Sequence, residues 1–257
     1  MLTFFTKRYL GIDMSEEQIR TVDGNNNVLF EKNIGDFIRE NNIDYDTSHS
    51  LWTNINIVIK IISYCAERGP KSFSGLHILL AVPPEFSQEG RQVLLGLKKI
   101  KNINKVYLTN SIIAAAAGVS SKEGEIVGRD VISKKIYIIS QRDKTYISLL
   151  WAGQLVDFSI INKGYKDVDI PDLIYGINDL IKALPMEIPG SFLSIPEMKP
   201  FLNEWYKELD GQVFISIPSD KQCRLGLQID RFSVIYTKYS NRLILEGLTK
   251  ILKSIAS

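Results

Sequence analysis

A set of three short strands joined by tight polar turns occurs twice in this chain, and that repeat constrains the fold more than any other feature of its 257 residues. Residues 8–14 and Ile19–Val22 read as strands. Asp23–Asn27 reads as the turn after them, because glycine and asparagine tolerate positive φ. Val28–Phe30 returns as the third strand. Lys135–Ser140, Thr145–Trp151 and Gln154–Ile161 repeat the set, with turns at Gln141–Lys144 and Ala152-Gly153.

Helices and further strands follow each set. Leu51, Ile55, Val58, Ile59 and Ile62 recur at helical spacing behind Thr47-Ser48, which can cap them, and Gly69-Pro70 ends the run. Leu76–Val82 is almost continuously apolar, as a strand buried on both faces would be. Ser87–Lys101 is an amphipathic helix, Val106–Leu108 a short strand, and Ile112–Val119 a helix whose four alanines allow close packing. The polar, glycine-bearing stretch 120–130 marks a boundary, giving domains 1–125 and 126–257. In the second half, Asp169–Leu184 reads as a helix and the four-proline stretch Pro185–Pro200 as a loop with at most short helical pieces. A short helix is expected at 201–209 and a hairpin from Gln212–Ile217 and Cys223–Ile229. Arg231–Ile255 reads as one long amphipathic helix. Strands alternating with helices give an α/β class, and the repeat predicts two related domains across a cleft.

Charge and special residues exclude several function classes. With 31 basic and 29 acidic side chains, the net charge of +2 does not predict nucleic-acid binding. The run Lys98, Lys99, Lys101, Lys105 reads as a solvated helix end. Cys65 and Cys223 are far apart and have no metal-ligand spacing, so reduced thiols are expected. His49 and His77 are isolated, and no metal site is expected. No apolar run reaches the ~18 residues of a membrane span. The first eight residues are too short for a secretory signal, so a cytoplasmic location is expected.

One stretch carries a family resemblance. Leu79-Leu-Ala-Val-Pro-Pro84, the Arg91-bearing helix, Val106-Tyr107-Leu108 and Ala114–Gly118 follow one another without a gap, as in the central segment of the MreB bacterial actin homologues. Leu10-Gly11-Ile12-Asp13 is similar to that family's opening. The resemblance implies a duplicated two-domain actin-like (ribonuclease H-like) α/β fold. It implies ATP held between the domains by two glycine-bearing hairpins and a glycine pair on the adenosine. It also implies that the N-terminus can touch a membrane, through Leu2, Phe4, Phe5, Lys7 and Arg8. Three apolar side chains bury little area, so only an oligomer would bind a membrane well.

The chemistry of that family is missing from the chain. Its 17 glycines include no Gly-Gly and no Gly-x-Gly, although phosphate turns need glycine to bring backbone amides close. Asp13 is followed by Met14-Ser15-Glu16-Glu17, where carboxylates would repel a triphosphate. The second phosphate turn corresponds to Ile139–Thr145, with an isoleucine for the acid and no glycine. The water-positioning glutamate corresponds to the Asn110-Ser111-Ile112 segment. About 20 residues between Phe30 and Trp52 stand where the family inserts a small subdomain. Reading Arg231–Ile255 as a helix also puts the chain end before the adenosine turn.

The sequence therefore predicts a shortened actin-like protein without ATP hydrolysis, in which Asp13 and Thr145 are vestiges of a cofactor site. ATP with magnesium would enter only a degenerate site. Expected partners are proteins, such as MreB-type filaments or cell-wall elongation proteins, with peripheral membrane contact and no nucleic acid. The alternative is an actin-like adaptor of a pilus, secretion or other membrane machine, binding a peptide by strand addition.

Overall fold

In a computed structural model, residues 8–45, 50–70, 75–97, 102–119, 134–194 except 186, and 209–256 except 238 are described, with 196, 199, 202 and 205 singly. Leu2, Phe4, Phe5 and Lys7, the lysines 98, 99 and 101, and the expected cap Thr47-Ser48 lie outside them. The chain forms two compact units, 1–114 with 244–257, and 115–243. The C-terminal segment from Ile244 thus belongs with the first unit, whereas the composition break at 120–130 suggested a division at 125/126.

The first unit holds β1 (Arg8–Asp13), β2 (Gln18–Val22), β3 (Val28–Asn33), β4 (Leu76–Val82) and β5 (Ile103–Asn110) in the sheet order β3-β2-β1-β4-β5. β1 pairs antiparallel with β2 and parallel with β4. Between β3 and β4 stand α1 (Ile34–Glu40), a 3-10 turn at Leu51–Thr53 and α2 (Ile55–Arg68). α1 was not foreseen: its seven residues are too few to show a stripe, and Asn33 caps it by accepting from the Gly35 and Asp36 amides. α2 begins at its own cap, Asn54, which accepts from Ile57 N at 3.4 Å. Its stripe Ile57, Val58, Ile61 and Ile62 packs on Leu10, Ile12, Ile78 and Leu80 of the sheet. α3 is shorter than expected (Gln88–Leu95), and β5 is longer. On α3, Arg91 donates to the carbonyls of Phe86 and Pro83 at 3.1 and 2.9 Å, so it holds the turn after β4.

Cys65 on α2 is buried, and burial pushes its thiol from 9.0 up to about 12. The fold thus favours the neutral thiol. Its contribution to stability is complete below about pH 9 and is lost as pH rises toward 12. Cys65 is expected to stay unmodified by a maleimide at pH 8 in the native state and to react fully after unfolding. Peptide mass mapping of both samples checks this; native labelling at Cys65 would contradict it.

The second unit is entered within α4 (Ser111–Val119). Strands β6 (Lys134–Ser140), β7 (Thr145–Trp151) and β8 (Gln154–Ile161) form the expected antiparallel set. α5 (Ile170–Lys182) and a short α6 (Gly190–Leu193) follow, then β9 (Leu209–Ser216), α7 (Ser219–Leu225), β10 (Gln228–Ile229), β11 (Phe232–Tyr236) and α8 (Leu243–Ala256). Two expectations fail here. Residues 212–229 are not a hairpin: α7 rises after Pro218, and β9 pairs in parallel with β6 and β11. Nor is 231–255 one helix. Phe232 and Val234 are buried while Ser233 between them is exposed, so the first part alternates as a strand does, and only α8 is helical.

Read from β8, the second sheet runs β8-β7-β6-β9-β11-β10, which repeats β3-β2-β1-β4-β5 with one extra strand. α2 and α5 fall at the same step of the two orders, as do α4 and α8. The duplication in the sequence is thus a duplication of topology.

Candidate functional site

Strand-end turns are where this topology presents backbone amides, so the candidate site is built from them unit by unit. In the first unit, Asp13 closes β1 and is 1% exposed. Ser15 donates its backbone N–H to one Asp13 oxygen and its hydroxyl to the other, each at 3.0 Å. Arg20, directly opposite on β2, places Nη1 3.3 Å from Asp13 Oδ2 and Nε 3.1 Å from Glu31 Oε1 on β3. Burial is the largest influence on the Asp13 carboxyl and raises its pKa, while Arg20 and Ser15 oppose that rise.

The β1–β2 turn itself is costly. Gln18 N donates to Ser15 O at 2.9 Å, and Glu16 and Glu17 hold φ of 51° and 61°. Two left-handed central residues define a hairpin turn that favours Asn-Gly. The double substitution Glu16→Asn, Glu17→Gly is therefore expected to stabilise the protein by about 1 kcal/mol, read as a higher urea midpoint. A lower midpoint would show that the two carboxylates contribute more than the backbone strain costs.

At the end of β5, Asn110 Oδ1 accepts from Ile112 N at 2.9 Å and so caps α4. Asn110, in the segment that the resemblance matches to a water-positioning glutamate, thus serves a helix start.

In the second unit, the β6–β7 turn is closed from within. Gln141 N donates to Lys144 O at 2.8 Å. Thr145 is fully buried; its hydroxyl donates to Lys163 O at 2.8 Å and lies 2.7 Å from Ser140 Oγ. Residues 163–165 cross the turn as a strap, with Tyr165 N on Gln141 O at 2.9 Å. Lys163 fixes the strap to α5 through both Asp172 oxygens at 2.8 Å, and it holds the Asp172 carboxyl below the usual range. Residues 237–242, between β11 and α8, include no glycine. There Thr237 N donates to Ile215 O at 2.8 Å, and Tyr239 meets Tyr165 edge-on at 5.9 Å.

Asp13 and Thr145, named from the sequence as vestiges of a cofactor site, lie at the end of β1 in one unit and the start of β7 in the other, and each is bonded within its own unit. The sequence reading missed Arg20 and the strap. An arginine in the short strand Ile19–Val22, seven residues after Asp13, was the available signal. Arg8, the one residue of the expected membrane-contact set that is described, is exposed at the start of β1. Among the described residues, no group of three or more histidine, cysteine or acidic side chains could hold a metal ion. None of the described helices is long and apolar enough to cross a membrane.

No protein-family model and no curated protein sequence matches the chain. Solved structures do. MreB5 of Spiroplasma citri bound to ADP matches with TM-score 0.61 at 13% identity, over 98% of this chain and 98% of that one. The apo psk41 ParM protein matches with TM-score 0.53 at 13% identity, over 98% of each. The MamK double helical filament matches with TM-score 0.52 at 10% identity, over 98% of this chain and 99% of that one. At such identities the likeness is one of fold, and the chain has the actin-like fold in two units built on mixed sheets.

Proposed function

We propose that this chain is an actin-like protein without ATP turnover, which acts as a cytoskeletal or membrane-associated scaffold in cell shape or morphogenesis. The observation that carries the reading is Asp13: both of its oxygens are engaged by Ser15 and Arg20. These residues do not fit a metal-bound triphosphate. The counter-charge at Asp13 comes from the chain, and two glutamates occupy the turn beside it. In the second unit a backbone strap crosses the turn that would cradle phosphate. Self-association is the expected mode of action, because the matched structures include a double helical filament. Weak membrane contact through Leu2, Phe4, Phe5, Lys7 and Arg8 would then be multiplied along an assembly.

Isothermal titration of the full chain with ATP and magnesium is expected to give no heat of binding, and phosphate release is expected to stay at the buffer rate. Micromolar binding or turnover would sink the proposal.

A second reading, the peptide-binding adaptor, draws on β8. This strand ends the sheet order, is half-exposed along its eight residues, and carries Leu155, Val156, Phe158 and Ile160. A free strand edge accepts a peptide by backbone hydrogen bonding. Loss of peptide capture by a Ser159→Pro variant whose self-association is unchanged would favour this reading over the first.

A further inference from the structure

Asp13, Arg20 and Glu31 form a row across three neighbouring strands. The register sets Asp13 of β1 opposite Arg20 of β2, and Arg20 opposite Glu31 of β3. The side chains of Asp13 and Arg20 are each 2% exposed, and that of Glu31 is 32% exposed. A guanidinium between two carboxylates in such a place is costly to bury, and removing one partner of such a group leaves an uncompensated buried charge. Lone buried carboxylates would also be costly, and the usual remedy in a phosphate-handling turn is a divalent ion.

We infer that Arg20 is a built-in counter-cation, which neutralises Asp13 and Glu31 in place of a divalent ion and so sets the β1–β2 hairpin without metal or nucleotide. This rests on the reading of the chain as one without ATP chemistry, and it adds what fills the vacated role. Three features support it. The fork of the arginine reaches one carboxylate through Nη1 and the other through Nε. Ser15 supplies two further bonds to Asp13, so the carboxylate is satisfied from its own hairpin. The turn that follows carries Glu16 and Glu17, a charge pattern that a bare Asp13 would make still more repulsive.

The test is a double-mutant cycle with a metal arm, read by thermal unfolding of the full chain. Arg20→Met is expected to lower Tm by roughly 10 °C, because it leaves the buried Asp13 carboxylate without its counter-charge. Adding Asp13→Asn to Arg20→Met is expected to return at least half of that loss, since the pair is removed together. Wild-type Tm is expected to ignore millimolar Mn2+ or Mg2+. Arg20→Ala opens space between the carboxylates, and Mn2+ alone is expected to raise its Tm by several degrees, with no effect on Asp13→Asn, Arg20→Ala. If Arg20→Ala does not fold, the double variant and Arg20→Lys, which keeps the charge but loses the fork, carry the test. Arg20→Lys is expected to fall between wild type and Arg20→Met. Additive losses in the cycle, or an Mn2+ shift of the wild type that Asp13→Asn abolishes, would overturn the inference. ATP binding by the wild type would instead sink the proposed function and leave the Asp13–Arg20 coupling to stand or fall by the cycle.

Discussion

Replacing Gly164 with alanine is expected to destabilise the second unit by about 3 kcal/mol or more, beyond the usual range for one added methyl group. A Cβ at this position would lie 1.9 Å from Arg142 O, 2.2 Å from Arg142 C and 2.7 Å from Asp143 N. All three are backbone atoms, so no side-chain rotation relieves the overlap. Nor can the strap lift away cheaply. Tyr165 N is bonded to Gln141 O on one side of the glycine. Lys163 accepts from Thr145 and pairs with Asp172 on the other. Raising the strap would strip the buried Thr145 hydroxyl of one partner, and an unmade buried bond costs about 1–3 kcal/mol by itself. Gly211 is the control: nothing lies within 4 Å of its would-be Cβ, and alanine there is expected to change stability by no more than about 0.5 kcal/mol. Urea unfolding of both variants, followed by tryptophan fluorescence, decides the matter. An unchanged midpoint for Gly164→Ala would show that the strap does not press on the turn.

That turn also shows what the sequence could and could not reveal. The absence of paired glycines was legible, because the phosphate-turn chemistry is local and depends on residue type. The side-chain pairing around those turns was not, because it depends on strand register. Arg20 reads as an ordinary polar strand residue until the register sets it between Asp13 and Glu31. Gly164 is more than twenty residues from Arg142 along the chain, and only the β7–β8 excursion brings them together. The fold divides in the same way. Both antiparallel three-strand sets were legible, since tight turns tie each strand to its sequence neighbour. The parallel strands were not assigned to partners, because alternation marks a strand without naming what it pairs with. Hence the sequence pattern sets β9 against the segment that is in fact α7 and β10, and merges β11 with the helix beyond it. At the chain's end β11 precedes α8, and residues 237–242 between them include no glycine.

Gly118→Ala is the second substitution with a large expected effect, and its sign is the informative part. Exchanging glycine for alanine inside a helix ordinarily gains up to about 1 kcal/mol. Position 118 lies within α4, directly after Ala114–Ala117, whose exposures are all 2% or less. A Cβ there would meet Leu243 O at 2.2 Å and Leu243 C at 3.1 Å, again backbone atoms. Leu243 opens α8 and is itself held by a bond from its N–H to Ser240 O at 3.1 Å. The substitution is therefore expected to cost about 3 kcal/mol, so that packing outweighs helix propensity. The alanines and the glycine carry much of the family resemblance, and they lie beside Asn110-Ser111-Ile112, the segment matched to that family's water-positioning glutamate. If the run were a remnant of that chemistry, alanine at 118 would be tolerated or mildly stabilising. If it exists to let two backbone segments approach, the variant loses stability whether or not nucleotide is present. Thermal unfolding with and without ATP and magnesium distinguishes the two, and a Tm at or above that of the wild type would remove packing as the reason for the glycine.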